Sequence, residues 1–217
     1  MPKGNDMEFE DKEQILRALH EEMKADLSLP LRESNLVFGE GSVKSTLMFI
    51  GEAPGFYEDK LGRPFVGRAG KLLDRLLEMA GWKREDVYIS NIVKRRPPGN
   101  RDPFPEEIDA YKSYLAREIT IINPKVIVPL GRFSMNYFLP HAKISKDHGK
   151  VFRLKGVRLI LPLYHPAAAL RSASVLAELE RDFIKLKAVV EKADELLTAE
   201  GKDMEKAGKE KQQGTLL

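Results

Sequence analysis

Four short apolar segments alternate with helical patterns along this chain of 217 residues, and the alternation is the strongest constraint on its fold. Two helical patterns, over residues 67–80 and 105–122, separate the first three segments, as in a parallel sheet covered on both faces. We therefore predict an α/β fold, a three-layer α/β/α sandwich with a central, mainly parallel four-stranded sheet. The predicted strands are rich in Val, Ile, Leu and aromatic residues and comprise residues 47–50, 87–93, 126–130 and 157–163.

Apolar residues at helical spacing predict two outer helices, over residues 9–26 and 174–198. Beyond residue 198 the chain is charged and contains almost no large apolar residue until its end, which is typical of disorder. We expect one domain over residues 1–198 and a disordered tail over residues 199–217. Gln213 and Leu216 have the Gln-x-x-Leu spacing of a sliding-clamp peptide but lack its aromatic anchors, so any clamp contact should be weak.

The composition narrows the classes of function that remain. The absence of cysteine excludes disulfides, thiolate catalysis and any cysteine-ligated metal. A net charge of +3 permits nucleic-acid binding without requiring it. No apolar run reaches the roughly 18 residues of a membrane helix, and the first residues do not resemble a signal peptide. We expect a cytoplasmic monomer without membrane contact.

Polar residues lie at or just beyond the carboxyl ends of the predicted strands. Glu52 follows the first strand, Asn91 lies near the end of the second and His165 follows the fourth. Ligands of open α/β sheets bind at these strand ends, so the residues are expected to share one site.

The segment after the first strand, Gly-Glu-Ala-Pro-Gly over residues 51–55, predicts a tight turn whose backbone can approach a ligand closely. Phe65 follows in a loop flanked by Pro and Gly, where no strand or helix period accounts for a large aromatic residue. Its ring can stack on a nucleic-acid base. The alternative is a phenylalanine that only anchors its loop.

Asn91 ends an apolar run, and a buried amide there needs hydrogen-bonding partners. An amide can pair with O4 and N3–H of uracil, whereas cytosine presents an amino group and an unprotonated N3 at those positions. The alternative is an asparagine that closes a turn at the strand end.

Taken together, these motifs resemble the uracil-DNA glycosylases, in the branch called family 4, from about residue 36 to residue 187. The resemblance implies that the catalytic residues are Glu52, Asn91 and His165. His165 would stabilise negative charge on the leaving base through a neutral imidazole N–H. A carboxylate would stabilise the oxocarbenium-like sugar or direct water. Ala53 occupies the place of a catalytic Asp in the best-known uracil-DNA glycosylases, so the water-activating residue stays open between Glu52 and Glu58.

The resemblance also implies where uracil and DNA bind. The expected uracil-binding residues are Ala53, Glu58, Phe65, Asn91 and His165. Leu170 and Arg171 resemble the loop that fills the space left by an extruded nucleotide. Pro54 and Gly55 would approach the DNA backbone.

The run over residues 94–101 is cationic and restricted by two prolines. Lys94, Arg96 and Arg101 are expected to bind DNA phosphates. The alternative is a basic stretch that is merely solvated.

Members of this branch ordinarily hold an iron-sulfur cluster through four cysteines. The corresponding positions fall near Asp26 and Leu29 and at Arg95 and Tyr111, none of which can ligate as cysteine. We expect no cofactor and no metal. Tyr111 is expected to fill part of the cluster volume by packing, and Arg95 to pair with Asp26 or with a phosphate.

The function expected from the resemblance is that of a monofunctional DNA glycosylase. It would flip deoxyuridine from uracil-containing DNA and hydrolyse the N-glycosidic bond, which starts base-excision repair. Two alternatives stay open: a catalytically weak DNA-binding or damage-sensing module, and a glycosylase for another deaminated base.

Overall fold

The computed structural model describes residues 4–154 and 158–198, with side chains from residue 11 onward. The expected tail over residues 199–217, which includes Gln213 and Leu216, lies outside the described residues.

A single mixed sheet forms the centre of the described chain. Its strands follow the order β1-β3-β2-β4-β6-β5. The four inner strands pair in parallel, and the two edge strands pair antiparallel to their neighbours. The strands are β1 Glu40–Gly41, β2 Leu47–Gly51, β3 Tyr88–Asn91, β4 Val126–Pro129, β5 Phe152–Leu154 and β6 Arg158–Ile160.

Helices connect the parallel strands and cover the sheet. Two short 3₁₀ turns, Arg84–Asp86 and Pro98–Asn100, flank β3. The α-helices are α1 Gly4–Ala25, α2 Phe56–Leu61, α3 Arg68–Met79, α4 Pro105–Ile122, α5 Arg132–Phe138, α6 Ile144–Asp147, α7 Pro166–Ala169 and α8 Ala173–Glu191.

The core has two halves, one on each face of the sheet. On one face α3 and α8 pack against β2, where the Phe49 ring stacks on Phe183 at a centroid distance of 5.8 Å. On the other face α1 and α4 cover Met48 and Ile50 of the same strand. Because successive side chains of a strand point to opposite faces, β2 is buried along its whole length.

This architecture confirms the predicted three-layer α/β/α fold and its four parallel strands. The predicted number of strands was too small, because the sheet also has the edge strands β1 and β5. These edge strands have two and three residues, too few to show a hydrophobic period in the sequence. Among the residues that the structure describes, no helix is long and apolar enough to cross a membrane.

Candidate active site

A pocket of about 390 Å³ opens at the carboxyl ends of the parallel strands. The sequence-predicted residues that line it include the three expected catalytic residues. Other lining residues, such as Asn100 and Asp102, come from the loop after β3. The predicted residues at the pocket are Glu52, Ala53, Pro54, Gly55, Glu58, Phe65, Asn91, Arg101, His165 and Arg171.

Asn91 lies at the floor of this pocket. Strand register places it opposite Gly51, and its side chain is only 2% exposed. A side chain at Gly51 would not fit, because a Cβ there would lie 2.4 Å from Asn91 Oδ1 and 2.6 Å from Phe65 Cζ. Asn91 Oδ1 is buried and has no hydrogen-bond partner among the described residues. An unpaired buried acceptor is costly in a finished core, and in a pocket it is available to a ligand N–H.

Phe65 contributes the aromatic wall, and its backbone is held in an unusual conformation. Its φ is +52°, in the left-handed region that bulky residues rarely adopt. Arg84 donates hydrogen bonds to the carbonyl oxygens of Pro64 and Phe65. Glu58 Oε1 accepts hydrogen bonds from the backbone N–H groups of Val66 and Gly67, at 2.9 and 2.7 Å. We use the name Phe65 clamp for the side chains of Arg84 and Glu58 together with the backbone of residues 64–67 that they bind.

The Phe65 clamp changes the interpretation of Glu58. Its carboxylate borders the pocket as expected, but one of its oxygens is occupied by the loop that carries Phe65. Arg84 is itself held by the carboxylate of Asp74, 2.9 Å away. Glu58 is therefore hydrogen-bonded to the loop of the aromatic wall, and the choice between Glu52 and Glu58 as the water-activating residue stays a prediction.

His165 caps the N-terminus of α7 and faces the Phe65 ring at a centroid distance of 5.6 Å. Burial lowers the pKa of its imidazole to about 4, so the ring is neutral at physiological pH. Nδ1 accepts a hydrogen bond from the Ala167 backbone N–H at 3.1 Å. A neutral ring that accepts at Nδ1 carries its proton on Nε2, which is then a donor. Gly131, at φ +88°, lets the neighbouring loop approach, since a Cβ there would lie 3.0 Å from His165 Cβ.

Glu52 follows β2 and is partly buried. Burial is the main cause that raises the pKa of its carboxyl group to about 7, and the nearby Asp102 raises it further, while Arg132 lowers it. The backbone of Glu52 is fixed to the strand of Asn91, because its carbonyl accepts the Val93 N–H at 3.0 Å. A carboxyl group with a pKa near neutrality is partly ionised and partly protonated at neutral pH. Its ionised form can accept a proton from a reacting group.

The prediction that Lys94 binds DNA phosphates is wrong. Its side chain is fully buried, and its Nζ lies 2.5 Å from Glu118 Oε2 and 2.5 Å from Ser90 Oγ. Tyr88 donates to the same carboxylate at 3.1 Å, and burial, together with this carboxylate, raises the pKa of Tyr88. A buried ammonium is tolerated only where a carboxylate compensates its charge, and here α4 supplies one behind the pocket floor.

The two arginines of this run that are predicted to bind phosphates, Arg96 and Arg101, make contacts within the protein. Arg96 Nε donates to Asn100 Oδ1 at 2.6 Å, and Arg101 forms a two-pronged ion pair with Glu107 at 2.8 and 2.6 Å. Arg101 borders the pocket and Arg96 does not. Their contact with phosphates stays a prediction.

Leu170 and Arg171, the two residues predicted to act in the loop after His165, differ in their position relative to the pocket. Leu170 is partly exposed and does not line the pocket. Arg171 is exposed and borders it. The intercalating role of Leu170 and the phosphate contact of Arg171 stay predictions.

Packed side chains occupy the region of the expected cluster positions Leu29 and Tyr111. Tyr111 is completely buried, as predicted, and its hydroxyl donates to the Pro30 carbonyl at 2.9 Å. Leu29 is buried nearby in the same half of the core. The predicted pairing of Arg95 with Asp26 is wrong, because its guanidinium donates to the carbonyls of Arg32 and Ser34. The alternative contact of Arg95 with a phosphate stays a prediction. Asp26 instead accepts hydrogen bonds from Ser28 and from the Tyr114 hydroxyl.

These residues do not fit an iron-sulfur cluster. The positions of the ligands hold a carboxylate, an aliphatic side chain, a guanidinium and a phenol, and none supplies a thiolate. Within residues 11–154 and 158–198, no group of three or more His, Asp or Glu side chains is arranged to hold a metal ion. No catalytic step is therefore assigned to a metal.

Sequence reasoning missed Arg84, Asp102 and Arg132. The role of Arg84 depends on contacts with a loop some 20 residues earlier in the chain, for which no local pattern exists. Asp102 stands in the same Pro-flanked loop as the predicted Arg101, and its position in that loop could have suggested it.

Comparison with known proteins gives the family. The model described as the uracil DNA glycosylase superfamily matches residues 38–188. The chain is 42% identical to the type-4 uracil-DNA glycosylase of Thermotoga maritima over 194 residues, which cover 88% of this chain and 98% of that protein. It is 49% identical to the type-4 enzyme of Sulfurisphaera tokodaii over 163 residues, 71% of this chain and 74% of the relative. It is 42% identical to the type-4 enzyme of Archaeoglobus fulgidus over 186 residues, which cover 82% of this chain and 92% of that protein.

Proposed function

The chain belongs to the uracil-DNA glycosylase superfamily, and from that premise we propose that it excises uracil from DNA as a monofunctional glycosylase. The reaction breaks the bond between C1′ of deoxyribose and N1 of uracil. The electron pair of the bond stays on uracil, water adds to C1′ and gives up a proton, and the products are free uracil and an abasic site. The observation that best supports this function is the unpaired, buried Oδ1 of Asn91 beside the Phe65 ring.

Recognition of the base follows from that geometry. An extruded uracil stacks against Phe65, and its N3–H donates to Asn91 Oδ1 while the amide N–H reaches O4. Cytosine lacks a proton at N3 and presents an amino group in place of O4, so two acceptors would face each other at N3 and two donors at position 4. A site built to pair with specific polar groups rejects an analogue that leaves them unpaired.

His165 and Glu52 serve the chemical step. The neutral His165 donates from Nε2 to uracil O2, where negative charge develops as the bond breaks. The Glu52 carboxylate accepts the proton of the attacking water and stabilises the positive charge on the sugar. A pKa of about 7 keeps a substantial fraction of Glu52 ionised at neutral pH.

The proposal extends to the cofactor, the partners and the location. We propose that the enzyme works without an iron-sulfur cluster, as a cytoplasmic monomer on uracil-containing DNA. The support for a cluster-free state is the absence of cysteine and the packing of Tyr111. We also propose that any sliding-clamp contact through residues 199–217 is weak.

A base-release assay tests the proposed function. Oligonucleotides that carry uracil, hypoxanthine, cytosine or a mismatched thymine are incubated with excess wild-type protein and with the Asn91→Asp variant. We expect the wild type to release uracil much faster than the other bases. Burial keeps the new carboxyl group of the variant protonated, so it should release uracil more slowly and discriminate less between uracil and cytosine. Release of hypoxanthine ahead of uracil would favour another deaminated base, and no release would favour a DNA-binding module.

A further inference from the structure

Three large aromatic residues are exposed close in the chain to residues that line the pocket. Phe56, Tyr57 and Phe104 are exposed at 51, 57 and 49%. Phe56 and Tyr57 belong to α2, a short helix without a single buried residue that directly follows the first pocket loop. Single exposed apolar residues are ordinary, but neighbouring ones beside a site indicate a surface that binds something.

These aromatic rings are joined into one strip by stacked and hydrogen-bonded contacts. The Phe56 and Tyr57 rings meet edge to face at a centroid distance of 5.4 Å. The Arg96 guanidinium lies over the Phe56 ring, 5.1 Å from its centroid. We call the whole set the rim strip; its members in order are Tyr57, Phe56, Arg96, Asn100, Arg101 and Phe104.

The second half of the rim strip continues from Arg96 through Asn100, which accepts its Nε–H at 2.6 Å. Arg101 follows in the chain, and its guanidinium lies over the Phe104 ring, 3.7 Å from the centroid. Asn100 and Arg101 themselves line the pocket. On the α2 side the pocket is lined by Gly55 and Glu58, which precede and follow the two aromatic residues in the chain. The strip therefore runs along the mouth of the pocket.

The charges of the rim strip are compensated within the protein. Arg101 is paired with both carboxylate oxygens of Glu107. Arg96 Nη1 lies 3.9 Å from Asp59 Oδ2. Phosphates are attracted by uncompensated positive charge, whereas bases stack on flat aromatic and guanidinium surfaces whatever their net charge. The strip is therefore better suited to bases than to the DNA backbone.

We propose that the rim strip stacks unpaired bases of the DNA strand next to the extruded deoxyuridine, so that the enzyme favours single-stranded DNA. The inference rests on the proposed function, which brings a DNA strand to this mouth. In a duplex the neighbouring bases stay paired and stacked on one another, and their faces are hidden from the protein. In a single strand those faces are free, and each base that stacks on an aromatic ring strengthens binding.

Binding to uncleavable DNA tests the proposal. Fluorescence anisotropy measures the dissociation constants of a single strand and of the matching duplex, each carrying a 2′-fluoro-deoxyuridine that resists excision. The variants are Phe56→Ala, Phe104→Ala and Phe104→Trp. Ile184→Ala is the control, since Ile184 is 63% exposed on α8 and lies outside the strip.

We expect each alanine variant to bind the single strand about fivefold or more weakly, the usual range for loss of one base–aromatic stack. Duplex affinity should change by less than about twofold, and Phe104→Trp should keep single-strand affinity because tryptophan preserves the stacking face. The slope of affinity against salt should stay that of the wild type, because no phosphate contact is lost.

Three results would overturn the proposal: unchanged single-strand affinity in both alanine variants, equal losses on single strand and duplex, or a reduced salt slope. Failure of the proposed function is seen separately. It would appear as a wild-type protein that releases no uracil from ordinary deoxyuridine oligonucleotides, whatever the binding of the fluorinated strands shows.

Discussion

At the scale of single residues, His165 has the properties of a neutral hydrogen-bond donor to a leaving group. Burial keeps its pKa near 4, and the Ala167 backbone N–H fixes the protonated nitrogen as Nε2. The ring is thus oriented before the substrate arrives, so the donor needs no rearrangement as charge develops.

Replacement of this donor should lower the rate of the chemical step more than it lowers the affinity for DNA. We expect His165→Ala to lower the single-turnover rate of uracil release by about 100-fold to 1,000-fold, the usual effect of removing one donor to a developing charge. The dissociation constant for DNA should change little. His141→Ala is the control, because His141 is exposed and does not line the pocket. An unchanged single-turnover rate in His165→Ala would remove the residue from the mechanism.

Glu52 gives the reaction its expected dependence on pH. In the proposed mechanism the active form is the carboxylate. Its pKa is raised to about 7, so the rate should rise with pH and reach half its plateau near pH 7. His165 does not account for this rise, because it is already neutral above about pH 4. In Glu52→Gln the rise near pH 7 should disappear and the plateau should fall about 100-fold or more. If the variant keeps the midpoint near pH 7, another group accepts the proton.

At the scale of structural elements, the Phe65 clamp connects the pocket wall to two separate parts of the chain. Arg84 precedes β3 in a 3₁₀ turn and Glu58 lies in α2, yet both bind the loop that carries Phe65. The left-handed backbone of Phe65 costs on the order of 1–3 kcal/mol, which contacts of this kind must offset.

Arg84→Met removes the hydrogen bonds that Arg84 donates to this loop and keeps a side chain of similar length. Phe65 is proposed to contact the base both before and during the reaction, so a less firmly held ring should weaken binding of the substrate and of the transition state similarly. We expect KM to rise about tenfold with a smaller change in kcat. Arg75→Met, an exposed change on α3, is the matched control. A wild-type KM for Arg84→Met would show that the loop keeps its conformation without the clamp.

The element α4 also carries Tyr111, which packs among the positions expected to ligate a cluster. Tyr111→Ala leaves a cavity in a fully buried position and should lower the free energy of unfolding by about 3–5 kcal/mol, as for other large aromatic residues. Tyr111→Phe loses only the hydrogen bond to Pro30 and should cost about 1 kcal/mol. Urea denaturation measures both values. A loss below about 1 kcal/mol for Tyr111→Ala would mean that this region is not packed as described.

Sequence patterns predicted the parallel strands and the position of the site because both depend on local periodicity. Asn91 and His165 could be assigned to the pocket for this reason, since each stands at or just beyond the end of a predicted strand. Lys94 was misplaced because its partner Glu118 is 24 residues away, and a basic run is otherwise typical of a surface. The short edge strand β1 and the contacts of Arg84 likewise depend on tertiary structure, which no local pattern reports.

At the scale of the whole molecule, the fold and the pocket do not depend on thiolate ligands. The regions around Leu29 and Arg95 are held by Tyr111 and by hydrogen bonds to backbone carbonyls. The pocket residues lie at the carboxyl ends of the strands and share none of these positions. The residues proposed to act in catalysis are therefore separate from the positions expected to ligate a cluster.

The most direct test is single-turnover uracil release by wild-type protein whose iron content is measured on the same sample. The proposal predicts complete release of uracil and an abasic product, with iron far below one atom per chain and no broad visible absorption. Absence of uracil release from a folded sample, or a rate that rises in proportion to bound iron, would contradict the central claim that this cluster-free pocket excises uracil.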